Sequence, residues 1–171
     1  MDITELQSRL SDLTHLLPSQ REWVERLLFQ LAFNEVSYVE AIGTCGSGKS
    51  TLALALAELF SDQFNVALVS NELAMSELAS QLMQQWFAVP AQPGVNLRQQ
   101  IEQQEQTKPL LVILDQAVRE SAVLSKYIRP LPCLVFNFST SSMQRDGLTL
   151  LLGTPGSADA EHLLAGQRMN P

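Results

Sequence analysis

Three observations predict an α/β fold in three layers, a mainly parallel sheet flanked by helices. Short runs rich in apolar and β-branched residues alternate with segments of helical spacing. A glycine-rich turn joins the first of those runs to a helix. One run, Leu110-Leu111-Val112-Ile113-Leu114, is apolar at every position, as expected of a central strand covered on both faces. With 171 residues, 46% hydrophobic and 17% charged, the composition is that of a folded domain. A single domain over residues 1–171 is expected, with residues 1–18 as an N-terminal extension, and the chain reads as an isolated domain or the N-terminal part of a longer protein.

Along the chain, Ser19 with Glu22 reads as a capping box after Pro18 and opens a helix to about residue 34, whose Trp23, Val24, Leu27, Leu28 and Leu31 share one stripe. Residues 36–42 form the first strand and stop at Gly43. Leu and Ala dominate residues 50–60, a helix, and residues 65–70 are a second strand, which completes a βαβ unit. Residues 75–87 have helical spacing with Leu78, Leu82 and Trp86 inward. Residues 96–106 read as a polar, solvent-facing helix, and residues 117–128 as a helix after the 110–114 strand. Two apolar runs follow, 133–138 and 148–152. The segment between them is shorter than the dozen or more residues of a usual parallel crossover, so a hairpin is expected there, or a run that is not a sheet strand. Ser157, with Asp159 and Glu161 following, should open a terminal helix.

The glycine-rich turn, Gly43-Thr44-Cys45-Gly46-Ser47-Gly48-Lys49-Ser50, matches a P-loop, with a strand before it and a helix after it. A phosphate tail needs many amide donors and little steric bulk, which glycines at a helix N-terminus supply. The nucleotide-binding residues are therefore expected to be these eight and Thr51, with Lys49 reaching the β and γ phosphates and Ser50 ligating magnesium. Asp115, which closes the apolar strand, stands where a carboxylate holds the metal through its water shell. The expected ligands are ATP and Mg²⁺, and the three-layer fold becomes a P-loop NTPase fold.

Gln116 follows Asp115, where many hydrolytic P-loop proteins carry Glu. An amide cannot take a proton but can orient water, so hydrolysis is expected to be slow or partner-dependent. Cys45 reads as a small side chain at a variable loop position, and His15 and His162 as ordinary surface or packing residues.

These motifs, together with Leu111-Val112-Ile113-Leu114-Asp115-Gln116-Ala117, Leu150-Leu151-Leu152-Gly153-Thr154-Pro155 and the Pro18-Ser19-Gln20 helix start, resemble the AAA-type ATPase domains of general secretion pathway protein A, of related pilus-biogenesis ATPases and of the bacterial cell-division protein DamX. The resemblance covers about residues 15–165. It implies a polar residue near a late strand that contacts the γ phosphate, Thr154, or Thr140 if the earlier run is the true strand. With that reading Lys49, Gln116 and Thr154 form the catalytic set. The resemblance also implies coupling of nucleotide state to an assembly, with a protein partner or a homo-oligomer, and a cytoplasmic place peripheral to the inner membrane through a partner or longer parent.

Two other functions fit the loop. A small-molecule or nucleotide kinase would clamp the transferring phosphoryl group with several arginines, yet Arg98, Arg119, Arg129, Arg145 and Arg168 form no cluster in sequence. A non-hydrolysing nucleotide-dependent scaffold is motivated by Gln116. The net charge of −7 and a pI near 4.7 oppose nucleic acid as a primary partner. Cys45 and Cys133 form no zinc or disulfide framework, which fits a reducing compartment. The absence of any apolar run near 20 residues argues against membrane insertion by this chain.

Overall fold

The computed structural model describes residues 1–143 and 147–153. Its centre is a five-stranded sheet in which every pairing is parallel: β1 (Tyr38–Ile42), β2 (Asn65–Val69), β3 (Leu110–Asp115), β4 (Cys133–Ser139) and β5 (Leu148–Leu151), in the spatial order β2-β3-β4-β1-β5. Side chains alternate between two helical layers, because successive strand residues point to opposite faces. Val39, Ala41, Leu111, Ile113, Phe136 and Phe138 face α1 (Ile3–Asp12), α2 (Pro18–Phe33) and α3 (Lys49–Phe60). Tyr38, Ala67, Val69, Leu110, Val112, Leu114 and Val135 face α4 (Met75–Phe87), α5 (Leu97–Glu102) and the segment 117–131. The three-layer α/β architecture is therefore the one the sequence predicts, and β3 is buried at all six positions.

Four local expectations are corrected. Helix α2 starts at Pro18, and its cap comes from Gln20, whose Oε1 accepts from the Leu17 amide at 3.0 Å, not from Ser19 with Glu22. Within residues 1–18, α1 joins the main core through Leu6 and Leu10, and Leu13 and Leu16 follow it inward. Helix α5 is shorter than expected and is not wholly solvent-facing, since Gln100 and Ile101 are buried. The helix expected over 117–128 is reduced to a turn of α6 (Ser121–Val123) and a π-helical turn, Leu124–Ile128. The wider turn carries both Leu124 and Ile128 into the core.

The fourth correction concerns topology. The runs 133–138 and 148–152 form neither a hairpin nor a non-strand: both are parallel strands, and both pair with β1, one on each side. They are not neighbours, because β1 lies between them in the sheet. At up to about 3.3 Å per residue, even a short segment can cover two strand spacings of about 4.8 Å and the return along the strand, so the usual longer crossover is not required. The last expected helix, opening at Ser157, lies outside the described residues.

Candidate phosphate-binding site

The C-terminal edge of the sheet collects the site. Residue Ile42 of β1 lies opposite Ser139 of β4, and Asp115 of β3 lies opposite Phe138 of the same strand. Strand β4 thus separates the loop after β1 from the carboxylate after β3. Two amides tie these ends to it: Gly43 donates to the Ser139 carbonyl at 3.1 Å, and Gln116 to the Phe138 carbonyl at 3.0 Å.

The loop has the form that the glycines predict. A Cβ at Gly43 would run into Ser47 Oγ and come within 2.9 Å of Leu152 Cβ, so close packing against its own loop requires glycine. Gly48 adopts φ of 82°, and a Cβ there would lie 2.5 Å from Gln20 Nε2. Gln20 is buried at the base of α2, and its Nε2 approaches the Gly48 carbonyl at 3.5 Å, which braces the loop from behind. The first bond of α3 runs from the Leu52 amide to the Gly48 carbonyl at 3.0 Å, leaving the amides of Lys49, Ser50 and Thr51 in the unpaired first turn.

Lys49 is only 4% exposed, and its ammonium donates to the carbonyls of Gly43 and Thr44, both at 2.7 Å. The cation is folded onto the loop it must leave to meet a phosphate. In front of it opens a cleft of about 260 Å³, lined by Cys45, Gly46, Gly48, Lys49, Ser50, Thr51, Gln116 and Thr140. The predicted residues Cys45, Gly46, Gly48, Lys49, Ser50, Thr51 and Gln116 are thus brought together. Ser47 turns to a second cleft of about 200 Å³ on the other flank, with Ser19, Gln20, Trp23, Leu152 and Gly153. Thr154 lies outside the described residues, whereas Thr140, the alternative, stands at the end of β4 in the first cleft.

Asp115 is 5% exposed, and its Oδ1 has no hydrogen-bond partner among the described residues. An orphaned, desolvated carboxylate oxygen is costly unless something outside the chain satisfies it. That fits a hydrated magnesium ion, which keeps most of its waters and asks little of the protein. Among the described residues no group of three or more His, Cys, Asp or Glu is placed to hold a metal ion.

Gln116 adopts φ of 56°, in the left-handed region that a non-glycine residue enters at a cost of about 1 kcal/mol. Sequence reasoning singled out this residue for its amide and had no signal for its backbone. It missed Gln20 and Glu40. Glu40 was legible in principle, as the one charge inside the apolar strand 38–42, and it is fully buried. Beside it, burial together with the Glu40 charge pushes the Tyr38 phenol up to about 12, against smaller opposing effects of Asn137 and Arg129. Burial alone pushes the Cys133 thiol to about 12, so that group stays protonated and inert. Cys45 and His15 are exposed.

No protein-family model matches the sequence, and no curated protein matches it. Among solved structures the chain superimposes on a chain from the structure of Drosophila ORC bound to DNA with a TM-score of 0.67 and 16% identity, covering 94% of this chain and 49% of that one. A chain of C. elegans PCH-2 matches at a TM-score of 0.47 and 16% identity, covering 98% of this chain and 46% of that one. The chain therefore spans about half the length of these neighbours. What it shares with the ORC chain is the fold. Among the described residues no helix is long and apolar enough to cross a membrane.

Proposed function

We propose that this chain is a Mg-ATP-binding P-loop domain of AAA type, with slow or partner-dependent hydrolysis, that couples nucleotide state to an assembly. The observation that carries the reading is the single cleft in which Lys49, Ser50, Gln116 and Thr140 face one another, with the orphaned Asp115 carboxylate at the end of the adjoining strand. Lys49 exchanges its two loop carbonyls for phosphate oxygens, a stronger charge-assisted pairing. The first-turn amides of α3 receive the phosphates, Ser50 and Asp115 hold the metal and its waters, and Thr140 donates its hydroxyl to the terminal phosphate. Magnesium, when bound, neutralises the developing charge of phosphoryl transfer. Gln116 orients water without accepting its proton.

Gln116 also favours a second reading, a nucleotide-dependent scaffold that binds and does not turn over. The kinase reading is weaker, because the described residues lining the phosphate cleft include no arginine. The finer likeness to general secretion pathway protein A and DamX, the cell-envelope setting and the cytoplasmic location belong to the same proposal and rest on the sequence motifs. Fluorescence titration with N-methylanthraniloyl-ATP, followed by single-turnover hydrolysis, tests the reading. Saturable magnesium-dependent binding is expected. Its absence would overturn the proposal, and binding without any turnover would select the scaffold.

A further inference from the structure

The segment 140–143 follows β4 and begins in the phosphate cleft at Thr140. Backbone amides shielded from water need partners, because unpaired buried amides are costly. Glu40, on β1, partners one amide and one hydroxyl of this segment. Its Oε1 accepts from the Met143 amide at 2.5 Å, and its Oε2 accepts from the Ser142 hydroxyl at 2.8 Å. Both carboxylate oxygens are thus committed to one segment. Upstream, the Ser139 carbonyl takes the Gly43 amide, and the Ser139 hydroxyl donates to the Ser141 carbonyl at 2.7 Å. Downstream, Gly147 lies so close to Tyr38 that a Cβ would come within 2.8 Å of its ring and 2.9 Å of its carbonyl. Thr140 therefore sits on a short arch held at Ser139 on one side and at Glu40 on the other. Glu40 is itself three residues before Gly43 on the strand that carries the phosphate loop.

We infer that Glu40 is a positioning residue for the terminal phosphate: its carboxylate fixes the 140–143 arch so that the Thr140 hydroxyl meets the γ phosphate. The inference deepens the nucleotide reading above and rests on it. Glu40 does not line the cleft, and its two hydrogen bonds go to the arch. Releasing the arch leaves the loop, α3 and Asp115 in place, so a diphosphate keeps its contacts, while a triphosphate loses a donor at its last group. The signature is therefore selective: binding of ATP weakens, binding of ADP does not.

The experiment measures mant-ATP and mant-ADP affinities with magnesium for the wild type, Glu40→Ala, Glu40→Gln, Ser142→Ala, Thr140→Ala and the double variant Glu40→Ala with Thr140→Ala. Glu40→Ala should lower the preference for ATP over ADP about tenfold, the scale of one hydrogen bond to a charged group. Glu40→Gln, which keeps an acceptor for the Met143 amide, should recover part of it. The double variant should be no worse than Thr140→Ala, since two residues acting through one contact are not additive. If Glu40→Ala fails to fold, the exposed position Ser142 carries the test, with a smaller loss in the same direction. Equal losses for ATP and ADP, additive effects in the double variant, or a wild type that binds both nucleotides alike would overturn the inference. A wild type that binds neither would overturn the nucleotide reading itself.

Discussion

The amide of Gln116 donates to the carbonyl of Phe138 at 3.0 Å, so the residue after Asp115 is anchored to the strand that lies between it and the phosphate loop. This bond holds Gln116 in a left-handed turn, φ 56°, and leaves its side chain exposed in the cleft with Lys49 and Ser50. On the proposed function, Gln116 puts an amide where a carboxylate would serve as base. Gln116→Glu keeps the backbone and adds a proton acceptor, and single-turnover hydrolysis should rise about 10²-fold if the attacking water is already in line. Acceleration confined to high protein concentration would mean that assembly completes the site. No acceleration under either condition, with binding intact, would contradict the assignment of Gln116 to the base position. Gln116→Val makes an independent check on the turn, since a β-branched residue at positive φ should cost about 1–2 kcal/mol in a denaturant titration.

Asp115 combines burial with an unpartnered oxygen, a cost borne by the nucleotide-free protein. Asp115→Asn removes the charge at constant shape. Thermal unfolding without nucleotide should show a gain of about 1 kcal/mol, because a desolvated charge is exchanged for a neutral amide. ATP affinity should fall at least about tenfold with magnesium and stay unchanged in EDTA, since the carboxylate acts on the hydrated metal. An equal loss in both conditions would show that Asp115 is structural.

Much of the fold was legible because its signals are local. The loop at 43–50, the Leu- and Ala-rich α3 and the all-apolar β3 each announce themselves within a few residues, and all three stand where the sequence puts them. The placement of β4 and β5 is a non-local property. Two nearby apolar runs suggest two neighbouring strands, and nothing between them reports that β1 lies in the gap. The anchoring of segment 140–143 depends on Glu40, about a hundred residues upstream, and sequence spacing carries no trace of such a contact. The segment 117–128 failed for a different reason. Ala117 and Val118 bury themselves beside β3 before the π-turn begins, so an apolar pattern that fits an α-helix is satisfied by an extended entry and a wider turn. Within the proposed site, residue types point to the loop, Asp115 and Gln116, while the contacts of Gln20 and Glu40 arise only in the folded chain.

Tyr38 gives the fold a pH dependence. Its phenol, ordinarily near 10, is pushed up to about 12 by burial, so the folded state holds its proton more tightly than the unfolded one. A raised folded-state value contributes stability that is complete below the unfolded value and is lost as pH rises through the folded one. The window is pH 10 to 12. Across it the wild type should lose about 2 kcal/mol from this group, and Tyr38→Phe, which cannot ionise, should lose correspondingly less. Denaturant midpoints at pH 9, 10.5 and 11.5 for both proteins measure the difference. Parallel curves would show that Tyr38 does not carry the effect.

The central claim is that the loop binds the phosphates of ATP through Lys49, whose ammonium now rests on the carbonyls of Gly43 and Thr44 at 2.7 Å. The most direct measurement is calorimetric titration of Mg-ATP into the wild type and Lys49→Ala, with circular dichroism to confirm that the variant keeps its fold. The account predicts one saturable site in the wild type and an affinity lower by about 10² or more in the variant, the scale of a lost charge-assisted contact. Equal affinity in two folded proteins would contradict it.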